Sequence, residues 1–266
     1  MATLTRDLLA GAGGLLAGAG DLLAGAGRAF DLILPPSCVG CGVGMESGAP
    51  PVCPLCWRTL AGLHPPWCPT CGVTRPRDPR LPDSDHCGEC LGWDALRAAA
   101  PFRMDGMATR LVHALKFDGW RGLAPQMARA MVRPGRRLAM EEPLRLVPVP
   151  LSRARLRERG FNQAELLARG LADETGWALV NLLRRGRTGE QQARLGRRRR
   201  AANVQGQFEV DHGRRGGGTW SVLLVDDVVT TGATAAACAA ALKDAGLNCA
   251  GVVSFARATQ PIDARG

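Results

Sequence analysis

The chain has 266 residues, 46% hydrophobic and 22% charged, which suits one large or two modest globular domains with a sizeable core. Aromatic residues make up only 5% and tyrosine is absent, which argues against rows of rings stacked on single-stranded bases. The formal net charge of +10 favours anionic partners, yet Lys116 and Lys243 are the only lysines, and a genomic arginine skew would give the same excess.

Residues 1–34 form a low-complexity leader in which DLLAGAG, GLLAGAG and DLLAGAG follow one another. Leu8, Leu15 and Leu22 would line one face of a helix. Seven glycines between Gly11 and Gly27 oppose it, each costing a helix about 1 kcal/mol relative to alanine. A weak amphipathic helix or a disordered leader is therefore expected in preference to a membrane or partner anchor. Asp7, Asp21 and Arg28 interrupt the apolar run, so no transmembrane segment is expected. With no secretory signal either, a cytoplasmic protein is the expectation.

Residues 35–93 are rich in Cys, Pro and Gly and poor in periodic apolar pattern, so this segment needs a metal or a neighbour to fold. Eight of the ten cysteines fall in CxxC pairs: Cys38/Cys41, Cys53/Cys56, Cys68/Cys71 and Cys87/Cys90. Two thiolates separated by two residues grip a tetrahedral ion from one turn, and two such turns close a four-cysteine shell. In each half the first pair is followed by glycine (Gly42, Gly72) and the second is not. This internal repeat predicts two consecutive structural zinc ribbons, Cys38, Cys41, Cys53 and Cys56, then Cys68, Cys71, Cys87 and Cys90. An interleaved pairing, or redox pairs and disulfides, are the alternatives. His64 and His86 lie in the segment but are not needed as ligands. Cys238 and Cys249 fall outside it and are expected in the core.

From residue 95 to 266 the pattern becomes α/β. Helices are predicted at 107–117, 123–132, 161–176 and 234–246, and strands at 144–150, 221–227 and 250–256. Continuous apolar strands alternating with helices argue for a parallel sheet covered on both faces. The most informative stretch is V-L-L-V-D-D-V-V-T-T-G-A-T, ending at Thr234. Asp226 and Asp227 stand at the carboxyl end of a strand, where open α/β sheets bind ligands. Thr230, Thr231, Gly232, Ala233 and Thr234 then open a helix. Gly232 permits a tight turn, and hydroxyls and amides face an anion. Carboxylates beside such a nest make sense if they hold sugar hydroxyls or a divalent ion. A Walker loop is excluded, because no lysine follows the glycine.

This stretch resembles the signature of type I phosphoribosyltransferases, which bind 5-phosphoribosyl pyrophosphate (PRPP). With the cysteine pairs, the chain from about Leu32 onward resembles the ComF/GntX group. Leu115-Lys116-Phe117, V-P-V-P ending at Pro150, R-G-F-N-Q-A ending at Ala164, and Gln192, Arg200, Asn203 and Phe208 support the likeness. The resemblance implies that Asp226 and Asp227 take the ribose hydroxyls and Thr230 to Thr234 the 5′-phosphate, with Mg2+ entering on PRPP. It also implies a pyrophosphate loop at Leu151, Ser152 and Arg153, to which Arg155 and Arg157 add charge suited to a diphosphate. The arginine-dense stretch 184–200 is open between a closing lid, a nucleic-acid contact and a solvated face. Lys116 has no assigned role. Two functions follow: transfer of phosphoribose to an unidentified acceptor, or an accessory part in DNA uptake, contacting single-stranded DNA or a DNA-uptake helicase.

Overall fold

The computed structural model describes residues 36–75, 87, 90, 96–139, 143–186 and 207–259. The leader, His86, Gln192, Arg200, Asn203 and the arginine-dense stretch from residue 187 lie outside them. The chain divides into two compact units, one ending at Pro54 and one beginning at Leu55.

In the first unit the chain turns tightly after Cys38. The Cys38 amide donates to the Val43 carbonyl at 2.8 Å, and the Gly42 amide returns to the Cys38 carbonyl at 2.7 Å. The same bonds recur in the second unit, from Cys68 to Val73 at 2.9 Å and from Gly72 to Cys68 at 3.0 Å. The expected internal repeat is therefore a repeat of backbone geometry. Helix α1, Pro54–Arg58, carries Cys56.

The second ribbon is bonded to the α/β domain. Thr70 accepts from the Ala98 amide at 2.7 Å, and the Leu63 amide donates to Pro101 at 2.8 Å. Strand β1 is Ala98–Ala99 and β2 is Phe102–Arg103. At Gly72 φ is +73°, and a Cβ there would lie 2.5 Å from the Ala98 carbonyl oxygen. Gly72→Ala is expected to cost about 2–3 kcal/mol, from a left-handed backbone plus a clash with main chain. A thermal melt unshifted by this change would contradict the close approach.

The remaining elements are α2 Gly106–Phe117, α3 Leu123–Leu138, β3 Leu144–Pro148, α4 Arg153–Arg159, α5 Gln163–Thr175, β4 Ala178–Leu179, β5 Leu183–Arg185, β6 Phe208–Val210, β7 Ser221–Val229, α6 Ala233–Asp244 and β8 Asn248–Arg257. The main sheet has the order β1-β8-β7-β3-β4, with β2 also on β8, and every pairing in it is parallel. Strands β5 and β6 form a separate antiparallel pair at the two ends of the arginine-dense stretch.

Alternation along β7 sorts its side chains between two layers. Val222 and Leu224 join a core with Cys238 and Leu242 of α6, and with Phe208 and Val210 of β6. Leu223 faces the other way, its side chain 3.7 Å from a Cβ built on Gly135 of α3. Helix α3 crosses α5 closely at Gly170, where a Cβ would meet Ala128 at 2.8 Å. The sheet is thus covered on both faces, as its apolar strands require.

Three local expectations change. Helix α3 runs through Pro134 to Leu138, past the predicted end at 132. Proline removes one hydrogen bond, whereas Gly135 and Leu138 are buried and hold the last turns in place. The basic stretch after β3, read as a loop, is the helix α4, capped by the Ser152 hydroxyl accepting from the Arg155 amide at 3.3 Å. The short strands β1, β2, β4, β5 and β6 carry too few residues for a period to show.

Candidate functional site

The chain leaves β3 toward β4 on one side and β7 toward β8 on the other, so the strand order reverses between β3 and β7. Such a switch point opens a crevice at the carboxyl ends. The β3–β7 register ends at Pro148 and Val225, while β7 continues against β8 to Val229. Residues 226–229 therefore border the crevice on the β3 side.

Both acidic residues stand there, but they do not stand side by side. Alternation turns Asp227 toward α2, where its Oδ2 lies 2.6 Å from Lys116 Nζ. Asp227 is buried, 3% exposed, and Asp226 is half-buried on the α6 side. Asp226 Oδ1 accepts from the Asp227 amide at 2.8 Å. Burial first, and then the charge of Asp227, push the Asp226 carboxyl well above the usual carboxylate range; Lys116 opposes this in part. A carboxyl held so far up is one that hydroxyl donors or a cation would stabilise as the anion.

Thr230, Thr231 and Thr234 are exposed around Gly232, which caps α6 with φ +75°. The first amides of α6 have no acceptor within the helix, and Thr231 Oγ1 takes one of them, from Ala233, at 3.4 Å. Hydroxyls, free amides and the positive helix end so converge at one loop. Arg257 braces this loop from within. Its guanidinium, 2% exposed, donates to the Val229 carbonyl at 3.2 Å and to those of Thr230 and Ala258. Sequence reading missed Arg257; its signal was a lone cation closing the apolar strand GVVSFAR.

Across the crevice, Leu151 and Ser152 are half-buried and Arg153, Arg155 and Arg157 exposed. The R-G-F-N-Q-A motif holds this edge. Asn162 caps α5, accepting from the Ala164 amide at 3.1 Å, and donates to the Val149 carbonyl at 3.1 Å. Arg159 donates to the buried Gln163 side chain at 3.0 Å. A cavity lined by Pro143, Trp220, Ser221, Leu247 and Asn248 opens at the opposite, amino ends of the strands, where no comparable set of acids and hydroxyls gathers among the described residues.

The cysteines form two groups as expected, Cys38, Cys41, Cys53 and Cys56, and Cys68, Cys71, Cys87 and Cys90, each with all sulfurs within 4.8 Å of one another. All eight are free thiols. Sulfur separations of 3.9 Å (Cys41–Cys53), 3.7 Å (Cys68–Cys90) and 3.4 Å (Cys71–Cys87) bracket the edge of about 3.8 Å that a tetrahedron with Zn–S bonds of about 2.3 Å requires. Disulfides and interleaving are thereby set aside. Amides of Gly40 and Cys53 point at Cys38 Sγ, at 3.3 and 3.2 Å. Burial raises the Cys38 thiol, but backbone amides outweigh it and bring it down to about 6; the same balance brings Cys68 to about 7. The spacing of the four sulfurs in each group fits zinc at both sites. His64 is exposed and not in either group. Cys238 is fully buried and Cys249 packs against the same core; burial raises both thiols, Cys249 to about 11.

Together these features define a class: a double zinc ribbon, each half with four cysteines, carried ahead of a parallel α/β domain whose carboxyl rim gathers acids and hydroxyls. The sequence profile of the double zinc ribbon domain matches residues 29–91. The DNA utilization protein YhgH of Salmonella typhimurium is 34% identical over 167 residues, 59% of this chain and 70% of the relative. Competence protein F of Haemophilus influenzae is 29% identical over 57% of this chain and 69% of its own length. Competence protein ComFC of Bacillus subtilis is 34% identical over 41% and 42%. The chain belongs to the ComF family. No helix among the described residues is long and apolar enough to cross a membrane.

Proposed function

We propose that this protein binds Mg2+–PRPP at the carboxyl rim between β3 and β7 and transfers phosphoribose to an acceptor, with pyrophosphate leaving. The observation that carries this is the continuous run of strand, acidic couple, hydroxyl loop and helix at the switch point. In this reading Asp226 and Asp227 receive the ribose hydroxyls. Thr230, Thr231, Gly232, Ala233 and Thr234 surround the 5′-phosphate, with Arg257 keeping the loop in shape. Leu151, Ser152 and Arg153 lie on the diphosphate side, where Arg155 and Arg157 add positive charge. Mg2+ accompanies the diphosphate as part of the substrate. The residues act by fixing the sugar and by meeting the charge that develops on the leaving diphosphate, so no general base is needed for its departure. Calorimetry of zinc-loaded protein with Mg2+–PRPP, followed by pyrophosphate release over candidate acceptors, tests this. Saturable binding is expected, and its absence rejects the assignment.

A second reading, a contact with single-stranded DNA, has its own support. Relatives bear competence and DNA-utilization names, and two exposed rings stand at the end of α2 and just beyond it, one of them beside an arginine. Phe117 is 59% and Trp120 41% exposed. Arg159 lies 4.7 Å over the Phe117 ring, and Arg121 4.6 Å over Phe161. Replacing Phe117 and Trp120 by alanine is expected to weaken binding of single-stranded DNA about tenfold or more, each stacked base contributing about 1–3 kcal/mol. Affinity should also fall steeply with salt. Filter binding unaffected by both replacements would remove this surface from consideration.

A further inference from the structure

Resting on the PRPP reading of the rim, we propose that Lys116 is a ligand-exchanging residue, which competes with the ribose for Asp227 and, once displaced, neutralises the sugar's diphosphate. The ammonium is 2.6 Å from Asp227 Oδ2, and the two side chains are 21% and 4% exposed. The Asp227 oxygen is thus shut off from solvent, with the partly exposed Lys116 against it on the α2 side of the rim. A ribose hydroxyl can reach that oxygen only if the ammonium gives way.

The displaced ammonium then has a destination fixed by the chemistry of the sugar. The 2-hydroxyl of PRPP sits on the carbon next to C1, which carries the diphosphate. A cation released from a carboxylate that holds this diol is therefore beside several phosphate oxygens. Lys116 lies in the last turn of α2, on a flexible four-carbon stem that allows the short movement.

The residue type points the same way. Of 34 cationic residues, only Lys116 and Lys243 are lysine, and Lys243 is exposed at the end of α6. An arginine fork would hold the carboxylate through two parallel bonds and resist exchange. A lysine makes a single, rotatable contact. In a chain that otherwise writes its positive charge as arginine, the displaceable cation stands where displacement is required.

The test compares two ligands, Mg2+–PRPP and ribose 5-phosphate, by calorimetry on wild type, Lys116→Met and Lys116→Arg, with Lys116→Gln used in place of methionine if that variant fails to fold. Losing the ammonium is expected to weaken Mg2+–PRPP about tenfold, as loss of one charge-assisted contact does, and to tighten ribose 5-phosphate, which no longer competes with it. Lys116→Arg, which resists exchange, should weaken both ligands, and ribose 5-phosphate the more, because it brings no diphosphate to receive the displaced cation. In the variant without the ammonium a purely structural lysine would move both ligands in the same direction, and that result, or no change in either, overturns the proposal while leaving the PRPP site standing. Wild-type protein that takes neither ligand overturns the PRPP reading and this inference with it.

Discussion

Chelating the metal is expected to release about two zinc ions per chain and to lower the melting temperature of the α/β domain along with that of the ribbons. The reason lies in how the second ribbon is joined. Its backbone bonds to β1 through Thr70 and to the chain just before β2 through Leu63, and Ala61 accepts from the Arg103 amide at 2.8 Å. Strands β1 and β2 in turn pair with β8. Trp57, Phe102 and Phe255 close the joint, with Phe102 and Phe255 ring centres 5.3 Å apart. Cys68, Cys71 and Cys90 are buried, at 1%, 1% and 0% exposure, so removing the ion takes away the bonds that tie these interior sulfurs together. Structural zinc contributes about 10 kcal/mol or more to small ribbons of this kind, and a shell deprived of it comes apart. Cys71→Ser should therefore lower the main transition. Calorimetric melts after full metal removal that match the loaded protein would contradict this coupling.

Asp226→Asn with Asp227→Asn is expected to weaken Mg2+–PRPP binding by about a hundredfold or more. Each carboxylate would accept a charge-assisted hydrogen bond from the ribose, worth about 1.5–3 kcal/mol, and a neutral amide replaces it poorly. The fold should survive the change. Asparagine has the shape of aspartate, and burial already disfavours a charge at Asp226. Asp227→Asn does remove the partner of Lys116, which is expected to lower the melting temperature without unfolding the domain. Titration calorimetry beside a thermal melt separates the two effects. Unchanged affinity in a folded double variant would exclude the acidic couple from the site.

The sequence made the parallel sheet and the acid-and-hydroxyl rim legible because both depend on local pattern: a run of apolar residues, a doublet of acids, a glycine that opens a helix. The cysteine groups were legible for the same reason, through spacing and repeat. Contacts between distant segments were not. Nothing near Asp227 announces that Lys116, far earlier in the chain, will lie against it. Arg257 looks like a strand-ending residue until its guanidinium is found beneath the threonine loop. The opposed faces of Asp226 and Asp227 follow from the two-residue period of a strand, which the doublet itself conceals. The stretch after β3 looked like a loop because a run of arginines has no apolar stripe, yet Ser152 and Gly160 cap a short helix there.

The most direct measurement of the central claim is a crystal structure of the zinc-loaded protein grown with Mg2+–PRPP. The sugar is expected at the end of β7, its hydroxyls against Asp226 and Asp227 and its 5′-phosphate within the loop from Thr230 to Thr234. Sugar phosphate bound instead in the cavity at the amino ends of the strands, beside Trp220 and Asn248, would contradict it.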